Sequence, residues 1–340
     1  MSSPPIESYY LETTDGLFFA VKGFEHPPDR CIGVLRYAPD PAKGDRIKAG
    51  VSYRRLYHFD EQEQWLLKHN PACLAYDPVF DARLQSVPLS AVRRIYDPIL
   101  RLRELAQSSA GMGVEGDAVA FLRLVQTQSG VPWDHLGITG SLLIGMHTEY
   151  SDLDAVVFGT QSCRQVYKTL HNLLEDPSVP DLRRLDRQGM EALHAVRSED
   201  TPMPYEEFIG LEARKVNQGS FRGRPYFIRF VKNANEAGWI YGEKKYSVLG
   251  RAEIRAVIAD DRDALFTPCS YFLSEVRGLS GALPANLNEI VSFRGRFCEQ
   301  AFAGESIMAS GTLERVQSGQ DSRHRLLLGN TSEDTFCFIH

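Results

Sequence analysis

The pattern of apolar and polar positions divides the chain into three regions without an internal repeat. Residues 9–14 and 17–22 flank an Asp15-Gly16 turn and predict a hairpin, and residues 31–37 and 51–59 predict further strands punctuated by Asp40-Pro41 and Gly44-Asp45. This is a small, mainly antiparallel β unit in which Arg54, Arg55, Tyr57 and His58 face either a substrate or solvent. From residue 86 the spacing turns helical. Ser90 is placed to cap a helix through Tyr96, and Asp97-Pro98 supply a cap and a first-turn proline for another through about Ala106. The run Ser108-Ser-Ala-Gly-Met-Gly113 predicts a flexible joint. Residues 117–128 predict an amphipathic helix with Val119, Leu122 and Val125 among its apolar positions, ended by Gly130 and Pro132.

The segment Gly137-Ile-Thr-Gly-Ser-Leu-Leu-Ile-Gly-Met-His-Thr-Glu-Tyr-Ser-Asp-Leu-Asp-Ala-Val-Val-Phe-Gly159 is the most informative. Residues 136–139 predict a short strand, Gly140 breaks it, and Ser141 opens an apolar helical turn over residues 142–146. Residues 151–158 predict the next strand, whose alternation puts Asp152 and Asp154 on one face while Ala155, Val156 and Val157 continue into a core. Residues 162–174 and 181–196 have helical periodicity, and Tyr226-Phe-Ile-Arg-Phe-Val231 predicts a later strand. The tail from 247 consists of short strand-like runs at 252–258, 269–276, 290–293, 307–316, 323–328 and 335–339, a spacing that predicts a small OB-like or SH3-like barrel or a sandwich.

Composition narrows the class without choosing the chemistry. With 340 residues, 43% hydrophobic and 24% charged, the chain has the balance of an ordinary globular protein of two or three domains. No apolar run is long enough to cross a membrane, and Met1-Ser-Ser-Pro-Pro lacks the basic and apolar stretches of a signal peptide, so a cytoplasmic location with no membrane partner is expected. Cys31, Cys73, Cys163, Cys269, Cys298 and Cys337 are dispersed without a C-x-x-C pair, which predicts reduced thiols rather than zinc ligands or a disulfide framework. A formal net charge of −6 withdraws support from a broad basic face for duplex DNA. A local mixture of Arg222, Arg224, Arg229, Lys232, Lys244 and Lys245 with Phe221, Tyr226, Phe227, Tyr241 and Tyr246 fits single-stranded nucleic acid, or equally a sheet with a charged outer face and an aromatic inner one.

The chemistry-bearing positions cluster in the central segment. Gly140 leaves room for a phosphate to approach free backbone N–H groups, and the Ser141 hydroxyl is a donor to it. Asp152 and Asp154, side by side on a strand, repel one another until a divalent cation bridges them to phosphate oxygens. His147 lies close enough in sequence to touch a phosphate, act as a base or cap a helix end; Thr148 and Ser151 form the turn that aims Asp152, and Glu149 is either a further ligand or solvated. Asp260-Asp-Arg-Asp263 and Arg294-Gly-Arg296 resemble ligand clusters but fit charged turns as well.

Gly140-Ser141 followed after ten residues by Asp152-Leu153-Asp154 resembles the G-S-x10-D-x-D pattern of the DNA polymerase beta superfamily of nucleotidyltransferases, over about residues 117–232. The resemblance implies an α+β fold, a nucleotidyltransferase palm with a mixed sheet and helices, flanked here by the N-terminal antiparallel β unit (1–85) and a C-terminal β-barrel-like domain (247–340), with the helical connector and palm over 86–246. It implies transfer of an NMP group from an NTP to a hydroxyl acceptor, an RNA end, a protein side chain or a small molecule, with release of pyrophosphate. Asp152 and Asp154 would hold Mg2+ or Mn2+, Gly140, Ser141 and His147 would contact the nucleotide, and Arg229 or Lys232 would stabilise the leaving pyrophosphate. The pattern departs from the family at the later strand, where Arg229 stands in place of a third carboxylate. Glu206, Glu207, Glu212 and Glu253 are the candidate substitutes, and a noncatalytic palm that binds nucleotide or RNA is the alternative.

Overall fold

The computed structural model describes residues 4–108, 113–199, 201–280 and 283–339, so residues 109–112 of the expected joint lie outside the described residues. The chain forms two compact units, each discontinuous in sequence. The first comprises Met1–Tyr76, Arg83–Arg183 and Asn217–Trp239; the second comprises Asp77–Ala82, Arg184–Val216 and Ile240–His340. The architecture is mixed α+β, with three separate sheets among the described residues.

The first sheet is antiparallel and consists of β1 (Tyr10–Thr13), β2 (Phe18–Val21), β3 (Arg30–Pro39), β4 (Arg46–Lys48), β5 (Val51–Arg55), β6 (Leu74–Asp77), β7 (Ala82–Pro88) and β8 (Val92–Tyr96). Its main path runs β4-β5-β3-β2-β1-β8, with β7 also paired to β3 and β6 to β7. Two expectations are corrected here. The run expected to stay extended to residue 59 ends at Arg55, and α1 (Phe59–His69) follows it, burying Gln62 and Leu66. The helix expected from Ser90 to Tyr96 is the strand β8, which pairs Tyr96 with Tyr10 and Ile95 with Leu11 while the Tyr96 hydroxyl donates to Glu12 at 2.7 Å. The open backbone edge of β1 captures this run, and β-branched Val92 and Ile95 suit a strand better than a helix.

Asp97 caps α2 (Pro98–Gln107) as expected, accepting from the N–H groups of Ile99 and Leu100 at 2.7 and 3.1 Å. After α3 (Gly113–Ser129) come β9 (Leu136–Ile138), α4 (Gly140–Leu143), β10 (Leu153–Phe158), α5 (Thr160–Glu175), β11 (Leu182–Arg183), β12 (Gln218–Phe221) and β13 (Arg224–Val231). These strands form a mixed sheet in the order β11-β12-β13-β10-β9, parallel only between β10 and β13. On α3, Phe121 packs on Phe221 and Tyr226, which are therefore core residues. Val156, Phe158 and Val231 pack with Phe24, Ile6 and Tyr9 of the N-terminal segment. The helix expected over 181–196 instead starts as β11, because Leu182 and Arg183 pair with β12.

In the second unit Asp186 caps α6 (Arg187–Ser198), and α7 (Tyr205–Glu212) follows. The remainder is β14 (Lys245–Asp260), β15 (Cys269–Ser280), β16 (Leu287–Ser292), β17 (Ser306–Ser318), β18 (Asp321–Leu328) and β19 (Thr335–Phe338). The first five close a barrel in the order β14-β15-β16-β18-β17, with β17 returning to β14 and its first residues also pairing with β19. Ile254, Tyr271, Ile290, Ile307, Leu326 and Phe336 fill its core, as alternation along each strand requires. Among the described residues no helix is long and apolar enough to cross a membrane.

Candidate functional site

The first unit brings Gly140, Asp154 and Arg229 into contact. At the end of β9 the Thr139 N–H donates to the Asp154 carbonyl at 2.9 Å, and its hydroxyl donates to the Ser8 carbonyl at 2.7 Å. Gly140 follows with φ +64°, and a Cβ there would lie 2.1 Å from Asp154 Oδ2 and 2.7 Å from its Cγ. Glycine is thus required both by backbone conformation and by the carboxylate packed against it. The helical turn expected over 142–146 is α4, which starts two residues earlier and lasts a single turn, so its dipole is small and an anion there must be held by backbone N–H groups, the half-buried Ser141 and neighbouring cations.

The N-terminal sheet fixes this turn. Leu143, Ile144 and Met146 are buried with Tyr10, Phe18, Tyr37, Tyr53 and Tyr96, while Lys48 donates to the Ile144 carbonyl at 2.5 Å and Arg101 to the Leu142 carbonyl at 3.1 Å. Farther along, the Ser151 hydroxyl accepts from the Thr148 N–H at 2.9 Å, the turn expected to aim Asp152. Arg224 secures the same loop by donating to the Glu149 and Ser151 carbonyls at 2.6 and 3.1 Å.

Asp152 and Asp154 share one face, where their like charges repel. The charge of Asp154, with a smaller contribution from desolvation, pushes the Asp152 carboxyl up to about 6. Asp152 is exposed, so the like charge leads and desolvation adds to it. Asp154 is more enclosed, and its Oδ1 accepts from Arg229 at 3.0 Å. The register explains that pairing: β13 sets Phe227 beside Asp154 and Arg229 beside Val156, so Phe227 and Arg229 are the side chains that β13 presents on the acidic face. β13 contains no carboxylate at all.

Cations crowd the same neighbourhood. Arg55 interacts electrostatically with Asp152 and Asp154, Lys22 donates to Glu7 at 2.7 Å, and Lys22 in turn feels the charges of Arg229 and Arg36. Glu7 is buried, also accepts from the Gly23 N–H at 2.9 Å, and was not singled out from sequence because the N-terminal segment that carries it has no periodicity of its own. Lys22 and Arg36 escaped for a related reason: each is a single charge, one directly after β2 and one within β3, and only the folding of β1, β2 and β3 over the acidic face brings them together.

Other expected residues stand elsewhere. His147 has Glu115, 3.7 Å away, and Arg101 as its charged neighbours, and burial lowers its pKa. Lys232 follows β13 five residues beyond Phe227, about 16 Å along the strand from the acidic pair and on the opposite face parity, so a lysine side chain there does not reach it. Glu206, Glu207, Glu212 and Glu253 all belong to the second unit, where Glu212 is buried between Arg197 at 2.6 Å and Lys215 at 2.8 Å. Arg222 and Arg224 pair with Asp181 and Asp117. Asp260 pairs with Arg262 inside its turn, and Arg296 donates to Thr201 at 2.6 Å. These placements favour the charged-turn and charged-face readings of those segments.

Comparison with known proteins adds length-wide similarity without a function. No protein-family model matches the chain. It is similar to an uncharacterized protein of Methanocaldococcus jannaschii, 27% identical over 334 residues that cover 96% of each chain.

Proposed function

We propose that the protein is a metal-dependent nucleotidyltransferase, with the acidic pair and the Gly140-Ser141 turn as its centre. One observation carries this reading: of two mutually repelling carboxylates on one strand face, Asp154 packs directly against a left-handed glycine that opens a one-turn helix. The donor set fits Mg2+ or Mn2+, since paired carboxylate oxygens, whose repulsion Arg229 and Arg55 relieve only in part, suit a small hard cation. Asp152 and Asp154 would hold it, and when bound it supplies charge neutralisation for the α-phosphate and the leaving group. Gly140 and Ser141 orient the triphosphate, and Arg229, already 3.0 Å from Asp154, is placed to contact phosphate oxygens alongside it. In the overall reaction an acceptor O–H gives a new oxygen–phosphorus bond, the α-to-β bridging bond breaks, and pyrophosphate and a proton are released. The mixed sheet, with β10 and β13 parallel and the Gly-Ser turn before β10, supports assignment to the polymerase beta superfamily.

A second reading, a palm that binds nucleotide or RNA without turnover, is favoured by Phe227 and Arg229 on the acidic face of β13, where catalytic members carry another acid. Incubation of the full chain with α-labelled NTPs and RNA, protein or small hydroxyl acceptors separates the two. Label transfer that disappears in Asp152→Asn and Asp154→Asn is the expected result. Tight NTP binding with no transfer to any acceptor class would overturn catalysis in favour of binding alone.

A further inference from the structure

The N-terminal sheet adds a second cationic element beside the acidic pair, whose field Arg55 feels without a direct contact. Arg36 on β3 and Arg55 on β5 both lie over the ring of Tyr57, 5.1 and 5.0 Å from its centroid, which holds the two guanidinium centres within about 10 Å of each other. The strands that carry them are neighbours, with Tyr37 opposite Arg55 and the Leu56 N–H donating to the Arg36 carbonyl at 2.9 Å. Among the described residues neither guanidinium forms a direct ion pair or hydrogen bond with a carboxylate, whereas Lys22 is engaged by Glu7 and Arg229 by Asp154. Arg55 is exposed and Arg36 half-buried, so both remain reachable. Four cations therefore face three carboxylates, and two arginines share one ring although like charges repel. Planar guanidinium groups in such a pair match the oxygens of a phosphate, which would neutralise both.

We propose that Arg36, Arg55 and Tyr57 form a phosphate clamp beside the acidic pair, contributed by the N-terminal sheet. The clamp takes a phosphate group of one of the two substrates, either the polyphosphate tail of the nucleotide or a phosphate carried by the acceptor. Only the identity of that carrier rests on the nucleotidyl-transfer reading.

Calorimetric titration of the full-length chain with inorganic pyrophosphate, in buffer freed of divalent cations, tests the clamp. Arg36→Gln and Arg55→Gln are each expected to weaken binding about tenfold or more, whereas Arg262→Gln, in an exposed turn of the second unit, leaves it unchanged. Thermal unfolding of each variant confirms that the loss is not one of folding. Parent protein that fails to bind pyrophosphate, folded arginine variants that bind it like the parent, or an Arg262→Gln loss of equal size overturns the clamp. A parallel titration with NTP, NMP and a sugar phosphomonoester identifies the carrier: a loss confined to NTP assigns the nucleotide tail, and a loss confined to the phosphomonoester assigns the acceptor. Arginine-dependent pyrophosphate binding without nucleotide transfer keeps the clamp and overturns catalysis; transfer with arginine-independent pyrophosphate binding does the reverse.

Discussion

At the residue scale, Gly140 and Asp154 form one object. The glycine was legible in the sequence as a phosphate-approach position, but its tightest neighbour is the Asp154 carboxylate, which occupies the space a Cβ would need. Gly140→Ala is therefore expected to lose about 1–2 kcal/mol through left-handed backbone strain and, in addition, to displace Asp154. Denaturant unfolding reads the first effect and calorimetry of Mg2+ with nucleotide reads the second; a variant unchanged in both would mean that the turn relaxes freely. Asp152 gives a pH signature. Its folded pKa, about 6, exceeds the ordinary 3.8, so between those values the folded chain holds a proton that the unfolded chain has released. The stabilising contribution of this group is complete below about pH 4 and is lost as pH rises through about 6. Asp154→Asn removes the like charge, and carboxyl-carbon NMR should then find the Asp152 midpoint well below 6. A midpoint that stays put would make burial the cause instead.

At the scale of elements, the parallel pairing of β10 with β13 makes Arg229 a partner of Asp154. The sequence showed an arginine where an acid was sought, yet it could not show which strand would lie beside β10 or in what register. Arg229→Gln leaves a half-buried carboxylate short of a donor, and a stability loss of about 1–3 kcal/mol is expected in urea unfolding, together with weaker nucleotide binding. Equal stability and equal affinity would remove Arg229 from the site. Ser141→Ala should weaken nucleotide binding by about 0.5–3 kcal/mol, one phosphate hydrogen bond, with little change in folding. The run 90–96 illustrates what local pattern misses. Ser90 is a competent cap, but the backbone edge of β1 offers those residues a full set of ladder hydrogen bonds, and the strand wins.

At the scale of the whole molecule, the barrel unit has its own buried charge network, and it absorbs one candidate for the third carboxylate. Lys215, almost fully buried, donates to Glu212 at 2.8 Å, to the Arg296 carbonyl at 2.6 Å and to Gln300 at 2.9 Å. Glu212→Ala leaves Lys215 and Arg197 without their carboxylate, and a loss of about 3–5 kcal/mol is expected. Denaturant unfolding of the full chain measures it. A stable Glu212→Ala protein that has lost turnover while keeping nucleotide affinity would instead restore Glu212 as a catalytic acid.

The sequence alone determined the local parts: the Asp15-Gly16 hairpin, the Asp97 cap, the places of the tail strands though not the 16, 12 and 13 residues to which β14, β15 and β17 extend, and the spacing of Gly140, Ser141, Asp152 and Asp154. These depend on backbone conformations and side-chain periods that a few neighbouring residues dictate. Only the tertiary structure decided that β8 completes a sheet, that the tail closes into a barrel, and that Glu7, Lys22, Arg36 and Arg55 gather near Asp152 and Asp154 from positions about 100 or more residues away in the chain. Strand pairing between distant segments and the field of converging charges are properties of proximity in space, and no local period records them.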